Sequence, residues 1–450
     1  MGKGSVQVTT PCDYLIRADW CLTQDDERTI IEDAAIAVAE GRVLALGPWD
    51  EVAPGLDPAE ILDMRPGLAL PGLINAHCHA AMTVFRGLAD DLPLMPWLTE
   101  HIWPVEARLT PEMVGMGARL ACAEMLRTGT TCFADMYFLH AETARAVQDA
   151  GMRAVLCEGV LNFPTPSYAT PDAAFAIVEQ MLDAYADSEL IDVGMAHHAV
   201  YTNTRELLER GRDLAAEHGL PWMIHLAETE HETRDCLDAT GMRPLAWLDS
   251  LDCLGPRSVL VHCVDLDDTE IARLAETGAN VAHCPQSNMK LANGFCPAQK
   301  MLDAGIAVAL GTDGAASNND LNMVAEMATA ALVQKVHRAD PTVLPAKDVL
   351  DMATRGGADA LGRPDLGRLV PGNPADLVVM DLSQPNMQPV HSPVSQVVYA
   401  ATGLETRLTM VAGRPAFLDG EYPVLKNSGL DRASLLEDAR RARDWVRKNP

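Results

Sequence analysis

Two textures of hydrophobic patterning divide the 450-residue chain. Near both ends, short apolar and β-branched segments alternate with turn residues. Asp13–Thr23 and Thr29–Leu46, the second interrupted at Glu40-Gly41, read as strands. Ala375–Met380, Val394–Ala401 and Thr406–Val411 read likewise, with turns at Pro371-Gly372 and Gly413. An isolated hairpin is marginal, so the two ends are expected to meet in one small β-sandwich made of residues 1–66 and 368–430. Arg432–Lys448 carries helical charge patterning, and 431–450 is expected to pack outside as a helix.

In the middle, 67–367, short apolar runs that end in polar residues alternate with helical stretches. Leu68–Asn75 precedes Pro111–Arg127, Thr131–Ala134 precedes Ala141–Ala150, Ala154–Glu158 precedes Pro171–Ala186, and Ile191–Ala196 precedes Thr204–His218. Pro221–His225, Ser258–His262, Asn280–His283 and Ile306–Gly311 continue the pattern. Eight strand candidates alternating with helices predict an α/β fold, a (β/α)8 barrel of the TIM type. No G-x-G-x-x-G follows any of these strands, so a dinucleotide crevice has no support.

The polar residues that close these runs supply the chemistry. The first run leads into His77-Cys78-His79; the fifth ends in His225, the sixth in His262 and the seventh in His283, and the eighth leads to Asp313. In such a barrel the C-terminal strand ends converge on one mouth, where active sites form. His77 and His79 lie two apart on a strand and share a face. One histidine in a core is an ordinary event; five of thirteen at strand ends is a pattern. His77, His79, His225 and Asp313 offer three nitrogens and an oxygen, a donor set for a catalytic metal. The chain has no lysine between Lys3 and Lys290, so a lysine from the fourth strand cannot bridge two ions; a bridging Glu or Cys is the alternative, and a single ion is expected. Glu228 follows His225 by three residues, where a carboxylate in a partly dry site can move protons near neutrality. Such a site lowers the pKa of water towards ~7 and suits attack on an sp² carbon with a poor leaving group, whether an amine, an amide or a chloride.

Composition narrows the setting. Apolar residues make up 48% and charged residues 22%, an ordinary globular balance, and the net charge is −28. So acidic a chain repels phosphate backbones and anionic lipid, which disfavours nucleic-acid and membrane partners. No run approaches the ~18 apolar residues of a membrane span. The leading MGKGSVQVTTPCDYLIRAD has no apolar signal core, and the eleven cysteines contain no C-x-x-C pair, so a cytoplasmic protein with reduced thiols is expected. The surface neither requires nor forbids a homo-oligomer.

The segments Leu70-Pro71-Gly72-Leu73-Ile74-Asn75-Ala76-His77-Cys78-His79, His225-Leu226-Ala227-Glu228 and Gly311-Thr312-Asp313-Gly314 resemble the amidohydrolase superfamily, in its chlorohydrolase/deaminase branch. Pro96-Trp97-Leu98, Ile102–Thr110, His283-Cys284-Pro285-Gln286-Ser287-Asn288 and Gly372–Leu377 are similar to the 5′-methylthioadenosine/S-adenosylhomocysteine deaminases, and the likeness covers nearly the whole chain. This resemblance implies zinc-dependent deamination at C6 of an adenine nucleoside; iron suits the same donors. It implies that His77, His79, His225 and Asp313 bind the ion, that Glu228 carries a proton to the purine N1, and that His262 orients the attacking water. Asp313 would also assist the departing ammonia. Glu106 would grip the ribose hydroxyls, His198 would contact the purine nucleoside, and Trp97 and Trp103 would wall the pocket near the 5′ substituent. His197, next to His198 on a strand, is expected to point away.

Members of that family acting on S-adenosylhomocysteine can use arginines after the third strand to hold its carboxylate. Here Cys157–Pro164 has none, and no arginine occurs between Arg153 and Arg205. A buried unpaired carboxylate is costly, so 5′-methylthioadenosine is the expected substrate, with adenosine beside it. A guanine-like base or a triazine would leave Glu106 without a ribose. An inactive scaffold is disfavoured by the complete ligand set, and the H-x-E with P-C-x-x-C signature of the other zinc deaminases is absent.

Overall fold

The computed structural model describes residues 9–449. Lys3 and the outer limits of the expected end units, at 1 and 450, lie outside them. Among the described residues, Thr10–Leu22, Ile30–Ala39, Arg42–Pro48, Leu56–Asp63 and Gly67–Pro71 join Leu377–Asp381, Thr406–Val411 and Arg414–Leu418 in one eight-stranded sheet. Both ends of the chain therefore build one β unit. The sheet forks along Thr10–Leu22, whose first half pairs with Leu56–Asp63 and whose second half pairs with Gly67–Pro71. Ile16, Ile36, Leu62, Leu377, Val379 and Met410 share one buried cluster within it.

Parallel strands make the second sheet, in the order Val308–Leu310, Asn280–His283, Ser258–His262, Trp222–Leu226, Ile191–Ala199, Arg153–Val160, Thr130–Tyr137, Leu73–His79, Asp313–Gly314. The eighth barrel strand is broken. Val308–Leu310 pairs with the seventh strand, while Asp313–Gly314, three residues on, pairs with the first and closes the ring. The Asn75 side chain clamps that break, donating to Thr312 Oγ1 at 2.7 Å and accepting from the Thr312 amide at 3.0 Å. Gly311 passes so close to His77 that a Cβ there would lie 2.8 Å from its carbonyl oxygen. Side chains that point into the barrel, such as Ile74, Val155, Met223, Val259 and Ala309, form a closed core below the mouth.

Two expected elements differ. Leu68–Asn75 is two strands: Gly67–Pro71 lies antiparallel to Leu377–Asp381 in the end sheet, and the chain enters the barrel as Leu73–His79. Gly72 is the crossing point, where a Cβ would meet the Thr131 side chain at 2.0 Å. Val394–Ala401 is helical, formed by Pro393–Ser395 and Gln396–Ala400. Its start carries Ser392, whose side chain accepts from the Ser395 amide, and Pro393 in the first turn. Those helix-start signals outweigh the β-branched pair Val397-Val398, which is buried on the helix.

The segment after the first barrel strand forms a wall over the mouth through Leu94–Pro96, a π-helical turn Trp97–Ile102 and Trp103–Glu106. Ala442 and Val446 of the terminal helix Arg432–Lys448 share a core with Trp97, Leu98 and Ile102 of this wall. Arg119–Asp438 and Arg441–Glu112 ion pairs fasten the same helix to Pro111–Arg127. No helix of the described residues is long and apolar enough to cross a membrane. All eleven cysteines are free and buried.

Candidate active site

The barrel mouth gathers His77, His79, His225 and Asp313, whose ligand atoms all lie within 4.8 Å of one another. His77 Nε2 and His225 Nε2 are 3.1 Å apart, and Asp313 Oδ1 stands 3.1 Å from His79 Nε2 and 3.5 Å from His77 Nε2. What surrounds these atoms tests whether they suit a metal. His79 Nδ1–H donates to the Met136 carbonyl and His225 Nδ1–H to the His198 carbonyl, so both rings turn Nε2 inward as the free donor atom. His77 Nδ1 faces Met223 Sδ at 3.2 Å. Asp313 Oδ2 is occupied by the hydroxyls of Ser287 at 2.6 Å and Ser317 at 2.8 Å, which leaves Oδ1 for the cluster. Three imidazoles and one carboxylate oxygen, converging within reach of one another, fit a divalent metal ion.

The backbone at these strand ends is unusual. Ala227, His262, Cys263 and Asp313 have φ of 48°, 71°, 48° and 60°, the left-handed region that residues with a Cβ avoid. Such conformations concentrate where a surrounding structure holds functional side chains in place.

Glu228 lies beside the cluster with Oε2 3.7 Å from His262 Nε2. Burial, with the Asp313 charge nearby, pushes its carboxyl up to about 8, against the pull of His79 and Asn293. His262 Nδ1 faces Asn288 Oδ1 at 2.9 Å, and burial lowers the imidazole below its ordinary value, favouring the neutral ring. His283, grouped with the others in the sequence, does not reach the cavity; it is buried and neither ring nitrogen has a hydrogen-bond partner.

A cavity opens from the cluster, bounded by Trp97, Leu98, Trp103, Leu161, His198 and Glu106 among others. Glu106 is 9% exposed, and burial raises its carboxyl to about 6, opposed by Tyr137 and His79. His198 holds Thr202 Oγ1 through Nδ1 at 3.0 Å and packs against His225, 5.1 Å between ring centres. His197 points away, donating from Nε2 to the Leu207 carbonyl and accepting from the Trp222 indole. Every expected site residue therefore lines this cavity or, for His77, lies in the cluster at its base. Sequence reasoning missed Ser287, Ser317, Asn75 and Tyr137. Ser287 sits inside the His283–Asn288 motif, and Asn75 stands two residues before the ligand His77, which were the available signals.

A closed parallel barrel with three histidines and an aspartate at its mouth, and a buried glutamate beside them, defines a metal-dependent hydrolase of the barrel type. The chain belongs to the amidohydrolase family, which matches residues 68–416. A relative from Nitratidesulfovibrio vulgaris (strain Hildenborough), named 5-methylthioadenosine/S-adenosylhomocysteine deaminase, is 53% identical over 436 residues, covering 97% of this chain and 98% of its own. The crystal structure of an adenosine deaminase from Xanthomonas campestris with bound zinc superposes with a TM-score of 0.95 at 41% identity, covering 98% of this chain and 100% of that one. Atrazine chlorohydrolase from Arthrobacter aurescens TC1, complexed with zinc, reaches a TM-score of 0.87 at 26% identity over 95% of this chain and 99% of that one.

Proposed function

We propose that this protein hydrolyses the C6 amino group of the adenine ring of 5′-methylthioadenosine, releasing ammonia and the inosine analogue, with adenosine and S-adenosylhomocysteine as lesser substrates. The observation that carries this reading is one cavity that joins the His77–His79–His225–Asp313 cluster to the buried Glu106 carboxylate along an apolar wall. Among the described residues no lysine or arginine lines it. A nucleoside with a small apolar 5′ group suits that wall, whereas the amino-acid carboxylate of S-adenosylhomocysteine would lose its hydration without a cation. The names of the relatives point to the same substrates.

His77, His79, His225 and Asp313 would hold a zinc ion, which supplies Lewis acidity and lowers the pKa of water when bound. Around it the chain's own groups divide the work. Glu228 takes a proton from the attacking water and delivers it from its carboxyl to the purine N1, making C6 electrophilic; a carboxyl raised towards neutrality suits both transfers. His262 orients the water through Nε2, and Asp313 helps pass a proton to the departing amine. Glu106 accepts from the ribose hydroxyls, His198 contacts the purine, and Trp97 and Trp103 exclude water around the 5′ group. In this reading residues 67–367 carry the chemistry, and 1–66 with 368–430 and the helix 431–450 support it. A guanine-like base or a triazine leaves Glu106 facing no hydroxyl, which disfavours those substrates. Following the adenine-to-hypoxanthine change in ultraviolet absorbance with 5′-methylthioadenosine and the zinc-loaded protein tests the proposal. An unchanged spectrum with metal bound rejects it.

A further inference from the structure

Two side chains outside the cavity converge on Glu228. Glu232, 5% exposed, lies in the first turn of the helix Glu230–Thr240. Its Oε1 accepts from the Ala227 amide at 3.0 Å and its Oε2 from the Glu228 amide at 2.8 Å. An acidic residue at this helix position ordinarily reaches back to the capping residue's own amide. Here the cap is Thr229, whose hydroxyl accepts from the Glu232 amide at 3.1 Å, and the carboxylate reaches past it to the two amides before. Those amides flank Ala227, held at φ 48° between the ligand His225 and Glu228. A left-handed alanine needs outside support, and the two amide hydrogen bonds accepted by the one Glu232 side chain provide it.

The other side chain is Asn293. Its Nδ2 donates to Glu228 Oε1 at 2.8 Å. Its backbone amide donates to the Asn288 carbonyl at 2.9 Å, and Asn288 Oδ1 in turn faces His262 Nδ1. One short loop thus holds both His262 and Glu228. With Oε1 engaged by Asn293, Oε2 is the oxygen turned towards His262 Nε2. Neither Glu232 nor Asn293 lines the cavity.

We infer that Glu232 and Asn293 are positioning residues for proton transfer: Glu232 fixes the backbone beneath Glu228, and Asn293 engages Oε1 so that Oε2 carries the proton. The inference rests on the reading of Glu228 as proton carrier. A glutamine at 232 keeps one acceptor but turns an NH₂ towards an amide N–H, so the Ala227-Glu228 turn must shift. A misplacement on the order of 1 Å at a reacting group can cost about 100-fold. Removing the Asn293 amide leaves Oε1 without its donor and frees the carboxyl to rotate.

The test measures kcat, KM and metal per chain for Glu232→Gln and Asn293→Ala in the zinc-loaded full chain with 5′-methylthioadenosine. Each substitution is then repeated in a Glu228→Gln background. We expect kcat to fall about 10- to 100-fold in the single variants, with KM within about 2-fold and metal content unchanged. In the Glu228→Gln background neither substitution should cost anything further, because residues acting through one group are not additive. A further loss there as large as in the parent shows that the effect runs elsewhere and overturns the inference. So does a rise in KM with kcat kept, or normal turnover of both single variants beside an inactive Glu228→Gln. Near-normal turnover of Glu228→Gln alone overturns the proton-carrier reading first, and this inference with it. Should Glu232→Gln fail to fold, Asn293→Ala decides by the same comparison.

Discussion

Replacing Glu106 with glutamine separates recognition of the sugar from chemistry on the base. Glu106 lies on the wall over the mouth, 9% exposed, with Tyr137 and His79 favouring its charged form against burial. Ionised, the carboxylate can accept from two vicinal hydroxyls, and a hydrogen bond to a charged group is worth about 1.5–3 kcal/mol. Glutamine keeps one acceptor oxygen and loses the charge, so about one such bond disappears. At ~1.4 kcal/mol per tenfold, kcat/KM for 5′-methylthioadenosine should fall roughly 10- to 150-fold. Free adenine, with no ribose, should change by less than about 3-fold, and the 2′- and 3′-deoxy nucleosides should lie between. Acidity gives a second readout. Burial raises this carboxyl to about 6, so the hydroxyl-gripping charged form is present above that pH and lost below it. Preference for nucleoside over base should therefore decline as pH falls through about 6 in the parent and stay flat in Glu106→Gln. Equal losses for nucleoside and base, or the same pH course in both proteins, would refute the ribose grip.

Glu228→Gln should retain the fold and one metal per chain while losing at least about three decades of turnover, and activity within tenfold of the parent would remove its acid–base role. Replacing both Ser287 and Ser317 with alanine strips Asp313 Oδ2 of its two hydroxyls. Zinc affinity, read by competition with a chelator, should weaken by about 10- to 100-fold, and unchanged affinity would show that the hydroxyls do not orient the ligand. Glu158 is fully buried with neither carboxyl oxygen hydrogen-bonded, and burial pushes it to about 8, opposed by Ser167. A carboxyl raised in the folded state favours folding below its unfolded value and loses that contribution as pH climbs through about 8. Glu158→Gln should accordingly gain on the parent between pH 5 and 8 by up to about 1.4 kcal/mol per pH unit, measured by denaturant unfolding; parallel curves would contradict it.

The barrel was legible because buried parallel strands write continuous apolar runs, and because the residue that closes each run reaches the mouth. Ser258–His262 and Asn280–His283 match the structure to the residue, and the metal-site residues fall where strand ends place them. Position along a strand did not settle direction, however. His283 closes the seventh strand, yet its side chain is buried away from the cavity, as period-two alternation permits. The run at Leu68–Asn75 concealed a change of sheet, since it is apolar on both sides up to Asn75 and only Pro71-Gly72 marks the crossing. Val394–Ala401 misled through its β-branched residues, while the capping Ser392 and Pro393 stood one step upstream. Asn293 and Glu232 were invisible for another reason: their partners lie 65 and 4 to 5 residues away, and no local pattern announces a side chain that hydrogen-bonds a turn.

The central claim is deamination of an adenine nucleoside chosen by its ribose and its apolar 5′ group. The most direct measurement is kcat/KM for ammonia release by the zinc-loaded protein, compared across 5′-methylthioadenosine, S-adenosylhomocysteine, adenosine, adenine and guanine. The account predicts 5′-methylthioadenosine first, adenosine and S-adenosylhomocysteine behind it, and both free bases lower by about 100-fold or more. Preference for S-adenosylhomocysteine would contradict the argument from the cation-free wall, and turnover of guanine above every nucleoside would contradict the claim itself.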